Sequence, residues 1–262
     1  MASPESERAT AVRPAVEGII DRLASTRIAS AMAIVVVALC CFLPGFGAIP
    51  PVDRDEPRYA ETARLMVAQG DLLDSRFEGQ TAVDLPVGMV WLEAAAVFIA
   101  GGDRPPIWVY RLPSLLAGVG AALLTWWMAL AFGRPRAALL AGLFMAANVV
   151  LAGEARLARP DAVLLAAIVA AEGALARLWI AADADRADPR LAAVFWAAIG
   201  FGTLVAGPTA PIVIALTLLV LTIVRGDPAW LKKLAPVWGI PLMLLVAAPL
   251  LLPLAAGGGE RQ

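Results

Sequence analysis

Stretches of about twenty residues nearly free of charge recur along this chain, separated by short blocks that crowd its acids and bases together. A helix needs roughly 20 residues to cross the ~30 Å hydrocarbon core of a bilayer. Backbone amides in lipid have no water to bond, so apolar stretches that cross must satisfy their own amides as helices. Several such stretches occur, which excludes a single anchor. Composition agrees: 60% of the 262 residues are hydrophobic and 16% are charged, against roughly 25% charged in soluble domains. The chain is therefore predicted to be all-α, a polytopic membrane helix bundle.

Several function classes fall away at once. Net charge is -1 with no basic tract, so no nucleic acid partner is expected, because phosphate neutralisation requires clustered Lys and Arg. Cys40 and Cys41 are adjacent in an apolar run, which suits neither a disulfide framework nor a metal site. Histidine is absent, which removes the commonest general base near neutral pH. Acid-base chemistry must then use carboxylates.

Residues 1–27 mix acids and arginines and are predicted to be a cytoplasmic N-terminal segment leading into an uncleaved first span at about 28–48. Further spans are predicted at about 111–132, 135–154, 161–182, 191–208, 210–225 and 235–256, making seven. Residues 28–256 form the transmembrane module and 257–262 a short external tail. The stretch 49–110 is predicted to be an external loop carrying juxtamembrane helices. One runs over 56–69, where Tyr59, Ala63, Met66 and Val67 share a face. The other, 86–101, is about sixteen residues, contains Glu93, and is read as interfacial or re-entrant. Sidedness decides that reading. Arg134 with Arg136, Arg186 with Arg190, and Arg225 with Lys232 and Lys233 all fall on the cytoplasmic side only if 86–101 does not cross.

Three separated pieces then share the outer side: Asp53-Arg54-Asp55-Glu56, Asp84-Leu85-Pro86, and Arg156-Leu157-Ala158-Arg159-Pro160-Asp161. Arginine forks suit phosphate; carboxylates suit a divalent cation or a general base. Each piece also has a structural reading. Asp53 or Asp55 can cap the helix through Pro57. Arg156 and Arg159 can snorkel to the interface, and Asp161 can cap the next span. Glu93, Glu154, Glu172 and Arg177 can pair between helices. Most of the Trp and Tyr residues fall near span ends, as aromatic belts do. No internal repeat of the kind many transporters show is evident.

These pieces, in this order, resemble the bacterial aminoarabinose transferase and protein O-mannosyltransferase group of membrane glycosyltransferases. The matching segments are 51–61 (PVDRDEPRYAE), Asp84-Leu85-Pro86 with Trp91-Leu92, Tyr110-Arg111-Leu112-Pro113-Ser114, 155–162 (ARLARPDA), and Gly207-Pro208. The resemblance covers about residues 28–256. It implies transfer of a sugar from a polyprenyl-phosphate-linked donor to a lipid A-like glycolipid or a protein acceptor, on the periplasmic side of a bacterial inner membrane and among membrane lipids. It implies Asp55 as the carboxylate that orients or activates the acceptor, with Glu56 beside it. Arg58, Tyr59, Asp84, Arg156, Arg159 and Asp161 would line the substrate cavity. No cofactor is certain, and a divalent metal is left open.

Two positions depart from that pattern. Leu85 and Ala206 stand where the group usually has lysine, and neither can meet a phosphate as an ammonium does. The chain also ends at Gln262, just after the seventh expected span. A shortened, catalytically inactive paralogue that scaffolds or regulates a longer transferase is therefore the alternative expectation, beside a fragment or half of a split system.

Overall fold

The computed structural model describes residues 17–51, 55–70, 76–77, 80–81, 86–101, 105–181 and 188–251, and most of these are helical. Helix α1 (Glu17–Ala24) meets α2 (Arg27–Phe42) at 114°. Thr26 makes the corner. Its hydroxyl accepts from the Ala29 amide at 3.2 Å, capping α2, while the Ser30 hydroxyl donates back to the Leu23 carbonyl at 3.0 Å.

The expected loop between the first two long apolar helices holds α3 (Asp55–Gln69), an antiparallel strand pair β1 (Arg76–Phe77) and β2 (Gln80–Thr81), and α4 (Val87–Ala100). Helix α3 buries Glu56, Tyr59, Ala60, Thr62, Ala63 and Met66. Helix α4 has 14 residues, about 21 Å at 1.5 Å per residue, and is too short to cross a bilayer alone. It packs instead on α3, α5 and α9.

The rest of the bundle is α5 (Ile107–Ala129, extended by a 3-10 turn to Phe132), α6 (Pro135–Ala146), α7 (Val149–Glu154), α8 (Asp161–Ile180), α9 (Pro189–Ala206), α10 (Thr209–Arg225), a 3-10 segment (Pro228–Leu234) and α11 (Pro236–Ala247). Among the described residues three helices are long and apolar enough to span: Ile107–Phe132, Asp161–Ile180 and Pro189–Ala206. Counting each bent pair as one span, α1 with α2 and the 3-10 segment with α11, raises the number to five. Seven spans are thus not reached by length. The single span expected at 135–154 is two helices, because the Asn148 side chain accepts from the Leu151 amide at 3.0 Å and starts α7 afresh. Helix α10 is apolar and has 17 residues, at the lower end of the roughly 17–25 that span a bilayer.

Packing joins helices that are not all neighbours in sequence. Helix α5 lies between α6 and α8, α8 packs on α9, and α9 on α10 and α11, while α2 covers α5 and α6. Large apolar side chains stay exposed along α10 and α11, including Leu216, Leu219, Ile223, Val224, Val237 and Leu245. An outward surface this apolar needs a hydrocarbon solvent, so the chain is a multi-pass membrane protein. One end of the bundle is basic and aromatic. Arg136 bonds Asp21, Arg177 stacks 4.2 Å above the Trp127 ring, and Arg225 lies 5.1 Å from that of Trp179. The opposite end carries α3, α4 and the 155–160 loop.

Helix α4 is held against α9 by the absence of a side chain at Gly88. A Cβ there would lie 2.7 Å from the Leu204 carbonyl oxygen, a backbone atom that cannot rotate aside. Gly88→Ala is expected to lower stability by about 1–3 kcal/mol. The matched Gly120→Ala change, in open space, should leave stability unchanged or slightly raised. Thermal unfolding midpoints in detergent at one scan rate compare them; equal midpoints would mean that α4 does not dock on α9 this closely.

Candidate functional site

At the α3 end of the bundle, two neighbouring acids meet different environments. Glu56 is fully buried, and so is Arg111 from the first turns of α5. The guanidinium donates from Nε to Glu56 Oε1 at 2.7 Å and from Nη2 to Oε2 at 3.3 Å, while Nη1 donates to the Phe46 carbonyl at 2.7 Å. The Ala158 amide adds a third donor to Glu56 Oε1 at 3.1 Å. One carboxylate thus joins α3, α5 and the 155–160 loop, and through Arg111 the turn after α2. Ser114, one turn along α5 and also buried, donates to the Arg159 carbonyl at 3.0 Å and pins the same loop again.

Asp55 points elsewhere. Its side chain is 48% exposed and lies 3.5 Å from the Arg58 guanidinium. Arg159 and Asp161 pair at 3.2 Å, both partly exposed. Tyr59 sits among these groups with 5% of its surface exposed. Burial first, then the charges of Glu93, Asp55 and Asp161, push its hydroxyl up to about 12, with Arg159 opposing. The structure therefore gathers Asp55, Arg58, Tyr59, Arg159 and Asp161 into one mixed-charge patch, with a phenol that stays protonated.

Other expected site residues are placed differently. Glu56 was expected beside Asp55 as a catalytic acid, but its carboxylate is enclosed and already accepts three donors. Arg156 was expected to line the cavity, yet its guanidinium donates to the Phe42 carbonyl at 3.1 Å and to the Cys41 carbonyl. It closes the C-terminal end of α2, where carbonyls lack helical partners. Asp84 and Leu85 lie outside the described residues, as do Asp53 and Arg54. No group of three or more His, Cys, Asp or Glu side chains placed to hold a metal ion occurs among the described residues. Of the acids and bases expected to pair between helices, Glu172 accepts from the Thr217 hydroxyl at 2.7 Å and Arg177 bonds the Trp127 carbonyl.

Two cavities lie along α3, and neither is lined by the residues of the patch. One of about 590 Å³ is lined by Pro57, Ala60, Glu61, Arg64 and Tyr110. The other, of about 570 Å³, is mainly apolar and runs between α3 and α4 past Met66, Trp91 and Phe98. Glu93 forms part of the wall between α3 and α4. It is fully buried, and neither carboxyl oxygen has a hydrogen-bond partner among the described residues. Burial, and secondarily the charge of Glu56, holds this carboxyl well above the usual carboxylate range. An unsatisfied buried polar group costs about 1–3 kcal/mol.

Sequence reasoning did not assign Arg111 a role. The available signal was a lone cation inside an apolar stretch, which by default marks a paired or functional group.

Breaking the buried pair on one side strands a charge. Glu56→Gln or Arg111→Met is each expected to cost about 3–5 kcal/mol, and the double variant less than the sum, because both charges leave together. Denaturation midpoints of the four proteins measure the coupling. Additive losses would show that the pair contributes nothing as a unit.

Residues 84–252 match the family model described as dolichyl-phosphate-mannose-protein mannosyltransferase. Helix α3 precedes the matched region. Crystal structures of ArnT from Cupriavidus metallidurans superpose on the chain. The apo state does so with a TM-score of 0.77 and 23% identity, over 87% of this chain and 42% of that one. The form bound to undecaprenyl phosphate gives 0.76 and 24%, over 90% and 43%. The chain thus spans less than half the length of those structures, and the likeness shows a shared fold. No curated protein sequence matches the chain. The family model covers well over half of its residues, and the chain belongs to the dolichyl-phosphate-mannose-protein mannosyltransferase family of membrane glycosyltransferases.

Proposed function

We propose that this protein transfers a sugar from a polyprenyl-phosphate-linked donor to a hydroxyl of a lipid A-like glycolipid or protein acceptor, at the periplasmic face of a cell inner membrane. The observation that carries the reading is the division of labour between Asp55 and Glu56. Glu56 is consumed in fixing the scaffold, which leaves Asp55 half-exposed beside Arg58, while Arg159 pairs with Asp161. Family membership and the undecaprenyl phosphate bound to the ArnT of similar fold supply the donor class. The basic end of the bundle faces the cytoplasm by the charge asymmetry of short loops, which turns the Asp55 end outward.

In this reading Asp55 accepts the acceptor hydroxyl proton as the oxygen attacks the anomeric carbon, and the bond from that carbon to the phosphate oxygen breaks. Arg58 and Arg159 face the negative charge that develops on the departing phosphate. Tyr59 supplies a neutral hydroxyl, and Asp161 holds Arg159. Glu56 and Arg156 act as positioning residues, through Arg111 and Ala158 and through α2 respectively. Asp84 is assigned to the donor side by family resemblance.

A second reading rests on Ala206, which packs against the apolar cluster around Tyr59 and Val205. An ammonium at that position is replaced by a methyl group, which favours a non-catalytic relative that scaffolds another transferase. One experiment separates the readings: expression in a strain lacking the protein, with mass spectrometry of envelope lipids and proteins. Transfer predicts a sugar-sized mass increment that Asp55→Asn reduces by roughly 10²–10⁴-fold. A product appearing only with Leu85→Lys and Ala206→Lys supports the inactive relative. An increment undiminished in Asp55→Asn would remove Asp55 from the chemistry.

A further inference from the structure

Ser114 uses its hydroxyl differently from the threonines in the helix interiors. Thr62, Thr125, Thr203, Thr217 and Thr222 each donate to the carbonyl four residues back in their own helix, the common local use of a helical hydroxyl. Ser114, fully buried in α5, donates instead to the Arg159 carbonyl at 3.0 Å, 45 residues along the chain. That carbonyl lies just outside α8. The helical ladder there starts with Pro160, whose carbonyl accepts from the Leu164 amide at 2.8 Å.

Arg111, Ser114 and Gly118 fall three and four residues apart, on one face of α5, and each serves the 155–160 loop. Arg111 holds Glu56, which accepts from the Ala158 amide at 3.1 Å. Ser114 holds the carbonyl of the next residue. Gly118 makes room for the start of the loop, since a Cβ there would stand 3.0 Å from that of Ala155. The Arg159 amide in turn donates to the Leu157 carbonyl at 3.0 Å. The backbone of Arg159 is thus fixed on both sides, and its partly exposed guanidinium meets Asp161 at 3.2 Å.

We infer that Ser114 is a positioning residue for the transfer: by holding the Arg159 carbonyl it fixes the root of the guanidinium that faces the departing phosphate. A long side chain loses much rotamer freedom when it is ordered against a ligand, and a fixed root keeps its charge in register with the phosphate. Without the hydroxyl, the peptide after Arg159 is free to rotate, while Asp161 stays anchored in α8. Arg159 then shifts relative to both. The inference rests on the proposed transfer for the role of Arg159; the seating of Arg159 by Ser114 is testable without it.

The test uses the full chain in nanodiscs, below the unfolding midpoint of every variant, with undecaprenyl phosphate as the probe. Ser114→Ala should weaken its binding by about 3–10-fold, the loss of one hydrogen bond. Ser114→Cys, which keeps the site filled and retains a weak donor, should lose less. Thr125→Val, which deletes a hydroxyl of the same helix bonded only within it, should bind as wild type does. In an Arg159→Met background Ser114→Ala should have no further effect, because a residue acting through Arg159 has nothing left to act on. A merely structural role would weaken both backgrounds alike. Hydrogen exchange of the Arg159 amide should quicken in Ser114→Ala and stay unchanged in Thr125→Val. Equal weakening in both backgrounds, or binding or Arg159 exchange in Ser114→Ala that matches wild type, overturns the inference. If the wild type itself binds no undecaprenyl phosphate, the donor class of the proposed function falls, and the Arg159 exchange decides whether Ser114 seats that residue.

Discussion

The buried ion pair between Glu56 and Arg111 is the interaction on which the arrangement of this end of the bundle depends. Two charges removed from water are tolerated only when their remaining donors and acceptors are satisfied. Here the Phe46 carbonyl takes the free Nη1 and the Ala158 amide reaches the carboxylate. The pair therefore recruits two backbone segments far from each other in sequence. Helix α3 has an average composition near neutral between polar and apolar, and without this tether its single buried face would be its main hold on the bundle.

Once Glu56 is committed, its neighbour is defined by contrast. Successive residues of a helix project about 100° apart, so a carboxylate driven into the core at position 56 leaves the one at 55 directed toward the boundary. The same loop that donates the Ala158 amide carries Arg159 and Asp161 on either side of Pro160, so the scaffold bond and the ionic patch cannot be rearranged independently. Arg156, at the start of that loop, ties it to the end of α2. The result is a patch whose members come from α3 and a distant loop but whose geometry is set by groups that stay out of it.

Helix α4 shows how small residues and length act together. Its 14 residues cannot span, and Gly88 lets it approach the α9 backbone closely. It packs against α3, α5 and α9, with Glu93 buried in it. The break after α9 is similarly local: Gly207 at φ 65° ends the helix and Pro208 redirects the chain into α10.

By itself the sequence determined the class of the protein and the approximate position of most helices. These follow from hydrophobic run length, charge asymmetry and breaker residues, all of which act locally. It also placed Asp55, Arg58, Tyr59, Arg159 and Asp161 among the candidates. It misjudged 135–154, because Asn148 looks the same in sequence whether it lies in a helix or caps one. What only the tertiary structure decided is which charged residue is consumed and which is free. Asp55 and Glu56 are chemically alike and adjacent, and Arg111 lies 55 residues from Glu56. Whether a carboxylate is paired, exposed or left protonated is set by the dielectric and the donors that distant segments bring to it. That information is absent from any local pattern, which is why Glu56, Arg111 and Arg156 acquired their roles only in the folded bundle.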